Sequence, residues 1–317
     1  MDQNKIFENI RCCVCGNKEN FIKKYYKDNF IVVECKTCSF NFIPQYFSKE
    51  KTYEDYKDEN VLAEVRRGND WLKMQRHLLR FKLIRKFKKD GKLFDLGVGW
   101  GHFLYTGKTL GYDVYGIEVA KIPYKYAKED LGLSVELVDF FEFGVKNDTY
   151  DIITIWDVLE HIADADQVVK KCSKMIKEGG YIFIQVPQLD SFIAKRYKEK
   201  WRMMSLDHVN YFSHQTISTL LSKEGFKVQT IKSSFEFKLF LMYGILPFLQ
   251  KIKSKLRKNI YVTTSNEAGK QAFFNKTTNL PRWVLKIIMI FHNILYNVLS
   301  FFKIGDEMIV VAKMIKK

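Results

Sequence analysis

Between Lys92 and Ile231 short apolar runs alternate with segments of helical period, and this constrains the fold more than any other feature. The runs are KLFDL, YDVYGIE, SVELVD, YDIITIW, YIFIQV and FKVQTI, and several are nearly all apolar, as strands buried on both faces must be. Between them lie HFLYTGKTL ended by Gly111, PYKYAKEDL, ADQVVKKCSKMIK ended at Gly179-Gly180, and HQTISTLLSKE between Ser213 and Gly225. Parallel neighbours need long crossovers, so the pattern predicts an α/β fold: a mostly parallel sheet with helices on both faces. After residue 234 the alternation stops, and only DEMIVVAKM resumes a strand pattern. The expected organisation is a cysteine module over 1–48, a helical linker or lid over 49–90 and a core over 91–234. An apolar, basic helical insertion over 235–304 and a last core strand within 305–317 complete it. A chain of 317 residues can bury one such core with a small satellite.

The turn after the first strand reads Asp95-x-Gly97-x-Gly99-x-Gly101. Glycines there let backbone approach a ligand and aim helix N–H groups at it. The alternate spacing departs from the dinucleotide fingerprint, and a leading acid is a poor neighbour for pyrophosphate. S-adenosylmethionine, with a sulfonium and an α-amino group and no phosphate, suits that acid better. Glu118, ending the second strand, is placed for two ribose hydroxyls, and Asp139, ending the third, for adenine. All three acids close strands at the sheet edge where ligands of open α/β folds bind.

These residues, with the motifs CxxC…CxxC, LFDLGVGWGHFL, GYDVYGIEVA, YDIITIWDVLEHIADADQVVKKCSKMIKEGGYIFIQVPQ and WRMMSLDHVNYFSHQTISTLLSKEGFKV, make the chain resemble class I S-adenosylmethionine-dependent methyltransferases, in the group carrying an N-terminal zinc-ribbon-like module. The resemblance covers roughly 10–232 and the final strand, and implies a Rossmann-like sheet of seven strands. It implies that Asp95, Gly97, Gly99 and Gly101 hold the amino-acid end of the cofactor, Glu118 the ribose, and Asp139 with Phe140 the adenine. Asp157 would lie near the methionine part and the acceptor. Two departures stand out: Val98 where the family usually has Cys, and Gln188 where Asn usually follows Pro187.

A sulfonium methyl is already electrophilic, so alignment and exclusion of water are the main requirements. A hydroxyl acceptor also needs a base. The candidates are His208, which is preferred, then His161 and Asp157, with Glu160 beside them in DVLEHI. A structural role, orienting its segment through backbone, is the alternative for His208. The (Asp/Asn)-Pro-Pro-aromatic turn of base-amine methylation is replaced by WDVLE. Cys172 sits in a helix, a poor place for the nucleophile that pyrimidine-carbon methylation needs. Nucleic acid is therefore disfavoured as acceptor.

Five of the six cysteines lie between Cys12 and Cys38. Cys12-x2-Cys15 and Cys35-x2-Cys38 have the spacing of two knuckles of a closed, structural zinc site, with Cys13 a spectator. Iron in a rubredoxin-like site, or a module that has lost its metal, are the alternatives.

The net charge of +16 implies an acidic partner: nucleic acid, an anionic membrane surface or a phosphorylated substrate. FKLFLMYGILPFLQ is followed by KIKSKLRK, and LPRWVLKIIMIFHNILYNVLSFFK comes later. The strands on either side belong to one sheet, so a single span is excluded. In-plane amphipathic helices on anionic lipid compete with a helical cap or a dimer surface. With no secretory signal in MDQNKIFENIRCC, the expected location is cytoplasmic, peripheral on the inner face of the cell membrane. The expected reaction is methylation of a sugar hydroxyl on an activated or lipid-linked saccharide. One alternative is a lipophilic phenol or quinone precursor. The other is a zinc-ribbon nucleic-acid binder with an inactive methyltransferase-like domain.

Overall fold

A computed structural model describes residues 10–28, 30–44, 71–145, 147–234, 302 and 305–315. The chain forms two sheets. Strands β1 (Phe21–Lys27), β2 (Phe30–Cys35) and β3 (Asn41–Phe42) belong to the smaller one. Helix α1 (Trp71–Ile84) follows, then β4 (Lys92–Leu96), α2 (His102–Thr109), β5 (Asp113–Glu118), α3 (Lys121–Lys125) and β6 (Val135–Leu137). Next come β7 (Tyr150–Trp156), α4 (Ala165–Met175), β8 (Ile176–Pro187), α5 (Phe192–Tyr197), β9 (Asn210–Tyr211), α6 (His214–Lys223), β10 (Phe226–Ser234) and β11 (Glu307–Met314).

The large sheet has the order β10-β11-β8-β7-β4-β5-β6. All of its neighbours are parallel except β11, which runs antiparallel to both β8 and β10. This is the expected seven-stranded, mostly parallel sheet. Successive residues of a strand face opposite sides, and here each side has its own core. Phe94, Ile153, Ile182, Ile184 and Val310 pack with Val168, Val169 and Cys172 of α4 and Ile217, Leu220 and Leu221 of α6. Their neighbours Leu93, Ile152, Phe183, Ile309 and Val311 pack on the other side with Phe81 and Ile84 of α1 and Phe103 and Leu104 of α2.

Two helix ends differ from expectation. Helix α4 stops at Met175 rather than at the glycine pair, and β8 begins at Ile176. The register against β7 jumps from Tyr150–Ile176 to Ile152–Tyr181, so residues 177–180 form a bulge. Gly180 belongs to that bulge, where an added Cβ would lie 2.8 Å from Ile176 Cγ1 and 3.0 Å from the Asp151 carbonyl. The helix expected after β5 is split into α3 and a wide turn over Tyr126–Asp130.

The small sheet crosses the expected boundary at residue 48. Its order is β1-β2-β3-β9, so its fourth strand comes from Asn210–Tyr211, deep in the core segment. Residues 235–301 and 49–70 lie outside the described residues, so the expected insertion is not among the elements above, and of the expected helical linker over 49–90 the described part is α1. Among the described residues, no helix is long and apolar enough to cross a membrane.

Candidate active site

The carboxyl ends of β4, β5 and β7 bring Asp95, Glu118 and Asp157 to one edge of the large sheet. Gly97, Gly99 and Gly101 hold φ of 79°, 55° and 77°, the left-handed region that glycine enters without strain. A Cβ on Gly97 would stand 2.6 Å from Val158 Cγ2, whereas one on Gly99 would meet nothing within 4 Å. The turn is thus packed beneath Gly97 and open at Gly99, a cradle that backbone alone forms. Val98 is buried and fills the space a Gly116 side chain would need, so this departure from the family is a packing choice.

Asp95 is buried, and the Thr154 hydroxyl donates to its Oδ1 at 2.5 Å. Burial pushes its carboxyl up to about 8, against the opposing pulls of Thr154 and the Arg80 charge. A cationic amino group or sulfonium is the ligand that would keep such a group ionised. Glu118 accepts from Gly99 N–H at 2.6 Å, Val119 N–H at 2.9 Å and Ala120 N–H at 2.8 Å. Burial raises its carboxyl despite these three donors. Glu118 therefore ties the glycine turn to β5 as well as standing where ribose hydroxyls were expected. Asp139 accepts from Phe141 N–H at 2.8 Å. The Phe140 ring is turned into the core, 6.4 Å from Phe94, with the Lys171 ammonium 5.0 Å from its centre. The exposed ring of this loop is Phe141.

Asp157 (φ 58°) belongs to a polar network that the sequence did not reveal. Arg80, on α1, donates to Asp157 Oδ2 at 3.2 Å and to Gln185 Oε1 at 3.0 Å. Gln185 Nε2 donates to Asp157 Oδ1 at 2.7 Å and to Glu307 Oε2 at 2.8 Å. The guanidinium lies 4.2 Å from the centre of the Trp156 ring. Burial lowers the Arg80 pKa to about 10, with Asp157, Glu307 and Asp95 pulling the other way. The signal for these residues was a lone polar side chain inside an apolar run: Gln185 in YIFIQV and Glu307 in EMIVVA.

His161 and His208 face each other edge to face, 4.8 Å between ring centres. His161 Nδ1 lies 2.8 Å from the Asp207 carbonyl, and His208 Nδ1 lies 2.8 Å from the Met203 carbonyl. A carbonyl only accepts, so both Nδ1 atoms carry a proton and both Nε2 lone pairs are left for other partners. Burial, then the neighbouring His161, lowers the His208 pKa and keeps its ring neutral. Glu160 is buried beside them, its Oε2 without a hydrogen-bond partner among the described residues. Asn210 Nδ2 donates to the Leu159 and Ile162 carbonyls, at 3.4 Å and 2.6 Å, clamping the turn that carries Glu160 and His161. Gln188, the second departure from the family's pattern, is fully buried. It accepts from Ser233 Oγ at 2.6 Å and donates to Asp190 at 3.2 Å.

The four module cysteines converge. Cys12 and Cys38 Sγ are 3.5 Å apart, as are Cys15 and Cys35 Sγ. All four lie within 4.8 Å of one another, and none forms a disulfide. A zinc tetrahedron with bonds of about 2.3 Å sets sulfurs about 3.8 Å apart, so the residues fit that metal. The two knuckles repeat one geometry: Gly16 N–H donates to the Cys12 carbonyl and Ser39 N–H to the Cys35 carbonyl, with φ of 82° and 61°. Cys13 is buried to one side. The module is fastened to the core by Arg11, which donates to Asp166 at 2.6 Å and 3.1 Å, and by Lys223 on the Val14 carbonyl.

Comparison with known proteins agrees with this geometry. A methyltransferase domain family model matches residues 68–231, just over half of the chain. A ubiquinone biosynthesis O-methyltransferase of Aliivibrio fischeri is 33% identical over 98 residues, which is 29% of this chain and 42% of the relative's length. The chain thus spans less than half of that relative. Among solved structures, an S-adenosylmethionine-dependent methyltransferase from Archaeoglobus fulgidus superposes with a TM-score of 0.50 at 19% identity, over 81% of this chain and all of the other. A Haemonchus contortus phosphoethanolamine N-methyltransferase gives 0.52 at 15%, over 92% and 71%. At such identities the structures speak for the fold, and the domain match speaks for descent. The chain belongs to the methyltransferase-domain family, on the class I S-adenosylmethionine-dependent fold.

Proposed function

We propose that this chain transfers a methyl group from S-adenosylmethionine to a hydroxyl of a small acceptor. The observation that carries the reading is the meeting, at one sheet edge, of a buried, cation-seeking Asp95 and open glycine turn with a histidine pair whose Nε2 atoms have no hydrogen-bond partner among the described residues. Asp95 and the turn from Gly97 to Gly101 would hold the amino-acid end, Glu118 the ribose and Asp139 the adenine side. Bound there, S-adenosylmethionine supplies an electrophilic methyl, which an oxygen lone pair takes as the carbon–sulfur electrons return to sulfur. The chain's own work is then to orient the acceptor, exclude water and receive the hydroxyl proton. In the chain without a metal at the histidine pair, that proton passes to His208 Nε2. His161 and Asp207 lie beside it and Asp157 anchors the same edge.

Two acceptor classes remain. Likeness to a ubiquinone biosynthesis O-methyltransferase, over 29% of this chain, favours a phenolic acceptor. The ribbon beside the acceptor side and the basic, apolar 235–304 stretch favour a sugar hydroxyl on a lipid-linked saccharide, on sequence grounds alone. A screen with methyl-labelled cofactor against phenols and saccharide precursors tests both. Label in neither, with S-adenosylmethionine bound, would overturn O-methylation. We further infer zinc in the four-cysteine site, checked by metal content of the purified chain. Association of 239–303 with anionic membrane is tested by liposome flotation of the chain with and without that segment.

A further inference from the structure

We propose that Glu160, His161 and His208 form a second metal site, holding a divalent first-row transition cation, and that the acceptor binds to it through two neighbouring oxygens. One ligand atom from each of the three residues lies within 4.8 Å of the others. The inference rests on how these side chains are held. Each imidazole donates from Nδ1 to a backbone carbonyl at 2.8 Å, which fixes ring and tautomer and leaves Nε2 as the free lone pair. Metal-ligating histidines are oriented in this way. The third residue supplies the independent observation. Glu160 is 2% exposed, and its Oε2 has no hydrogen-bond partner among the described residues. A buried carboxylate oxygen without a donor is costly, and a cation is the partner that offsets the cost.

The surroundings favour positive charge. Three further acids stand in the same neighbourhood: Asp157 and Glu307, joined through Gln185, and Asp207 beside the two rings. Asp207 Oδ2 stands 4.0 Å from a ring nitrogen of each histidine, and Arg80 is the counter-charge of the neighbouring network. Two imidazoles and one carboxylate, without thiolate, select manganese, iron, cobalt or zinc over magnesium and calcium. Three protein ligands leave coordination positions open on the solvent side, where His161 is 26% and Asp207 58% exposed.

The consequence for the substrate rests on the O-methylation reading above. Open neighbouring positions suit an acceptor with vicinal oxygens, a catechol or a 1,2-diol. The cation lowers the pKa of the bound hydroxyl, whose proton leaves to water on the open side. The resulting oxyanion forms the bond to the methyl carbon while the carbon–sulfur electrons return to sulfur.

The test titrates the full chain, carrying one equivalent of zinc in its cysteine module and none at the histidines, with Mn2+, following loss of the free-ion paramagnetic resonance signal. Thiolate sites do not select this ion, so the cysteine module stays silent. The expected result is one Mn2+ per chain, with affinity reduced at least about tenfold in Glu160→Gln and in His208→Ala. Far-UV circular dichroism of both variants verifies the fold. No Mn2+ bound by the parent chain, or equal binding by folded variants, overturns the site. Labelled methyl transfer is then measured with a catechol and its monophenol counterpart, with and without Mn2+. Stimulation confined to the catechol supports the acceptor class. Mn2+ binding with equal transfer to both overturns that class. Mn2+ binding with no transfer to any hydroxyl leaves the site standing and removes the O-methylation reading instead.

Discussion

The glycine turn and the histidine pair lie at the same sheet edge, yet they are assembled in opposite ways. Asp95, the three glycines and Glu118 come from one strand–turn–helix–strand unit, and Glu118 closes it by accepting from Gly99 N–H. The facing side draws Arg80 from α1, Asp157 from the end of β7, Gln185 from β8 and Glu307 from β11. It sets His161 against His208 and lends β9 to complete the cysteine sheet. The first side is local and self-supporting; the second depends on long-range docking. They should therefore fail separately, except through Arg80, whose charge also acts on Asp95.

The widest separation is expected from removing the cysteine site. Cys35→Ser, or chelation of metal, should lower methyl transfer by about 100-fold or more, because β3 loses the geometry that pairs it with β9 next to His208. Cofactor affinity by calorimetry should stay within about threefold. A parallel collapse of both would break the comparison. Next comes Arg80→Met, which removes the cation paired with Asp157. Breaking a buried pair costs about 3 kcal/mol, the low end of the range because Asp157 is 36% exposed. Denaturant melts measure it, and since Arg80 also acts on Asp95, both sides should weaken together.

A smaller effect confined to the cofactor side follows from Gly97→Ala. The substitution forces a left-handed φ and a 2.6 Å contact with Val158, about 1–3 kcal/mol of strain. Binding of S-adenosylmethionine should weaken by roughly tenfold to a hundredfold, with metal content of the cysteine site unchanged. The smallest effect is in pH dependence. With Asp95 at about 8 in the free chain, the carboxyl is mostly protonated at neutral pH and must release that proton to meet a cationic ligand. Affinity should therefore rise by nearly tenfold between pH 6 and pH 7 and level off above about 8. Calorimetry at several pH values reads the slope, and Asp95→Asn should abolish it along with most of the affinity.

The same contrast explains what could be read from the sequence. The sheet was legible because its strands are short apolar runs punctuated by Gly111, Gly225 and a Ser213 cap, all local signals. The sequence places the end of α4 at the glycine pair; Gly179 and Gly180 equally permit a bulge, and the pairing of Tyr150 with Ile176 shows that they form one. Phe140 was placed by its neighbour Asp139, but its ring follows the core packing of Phe94 and the Lys171 ammonium. In sequence Arg80 is one cation among several of α1. Its burial is decided by acids far along the chain that no spacing relates to it.

The two-residue strand β9 also sets an order of events during synthesis. The four cysteines can gather a metal ion once residue 38 has emerged, but β3 has no outer neighbour until Asn210 and Tyr211 follow. At ribosomal rates that interval is on the order of ten seconds or more. Through it the outer edge of β3 stands open, and the backbone groups facing away from β2 are a template for pairing with another chain. A chaperone or a folding partner would have its clearest task in that interval, shielding a nascent edge that the finished protein covers with its own later sequence.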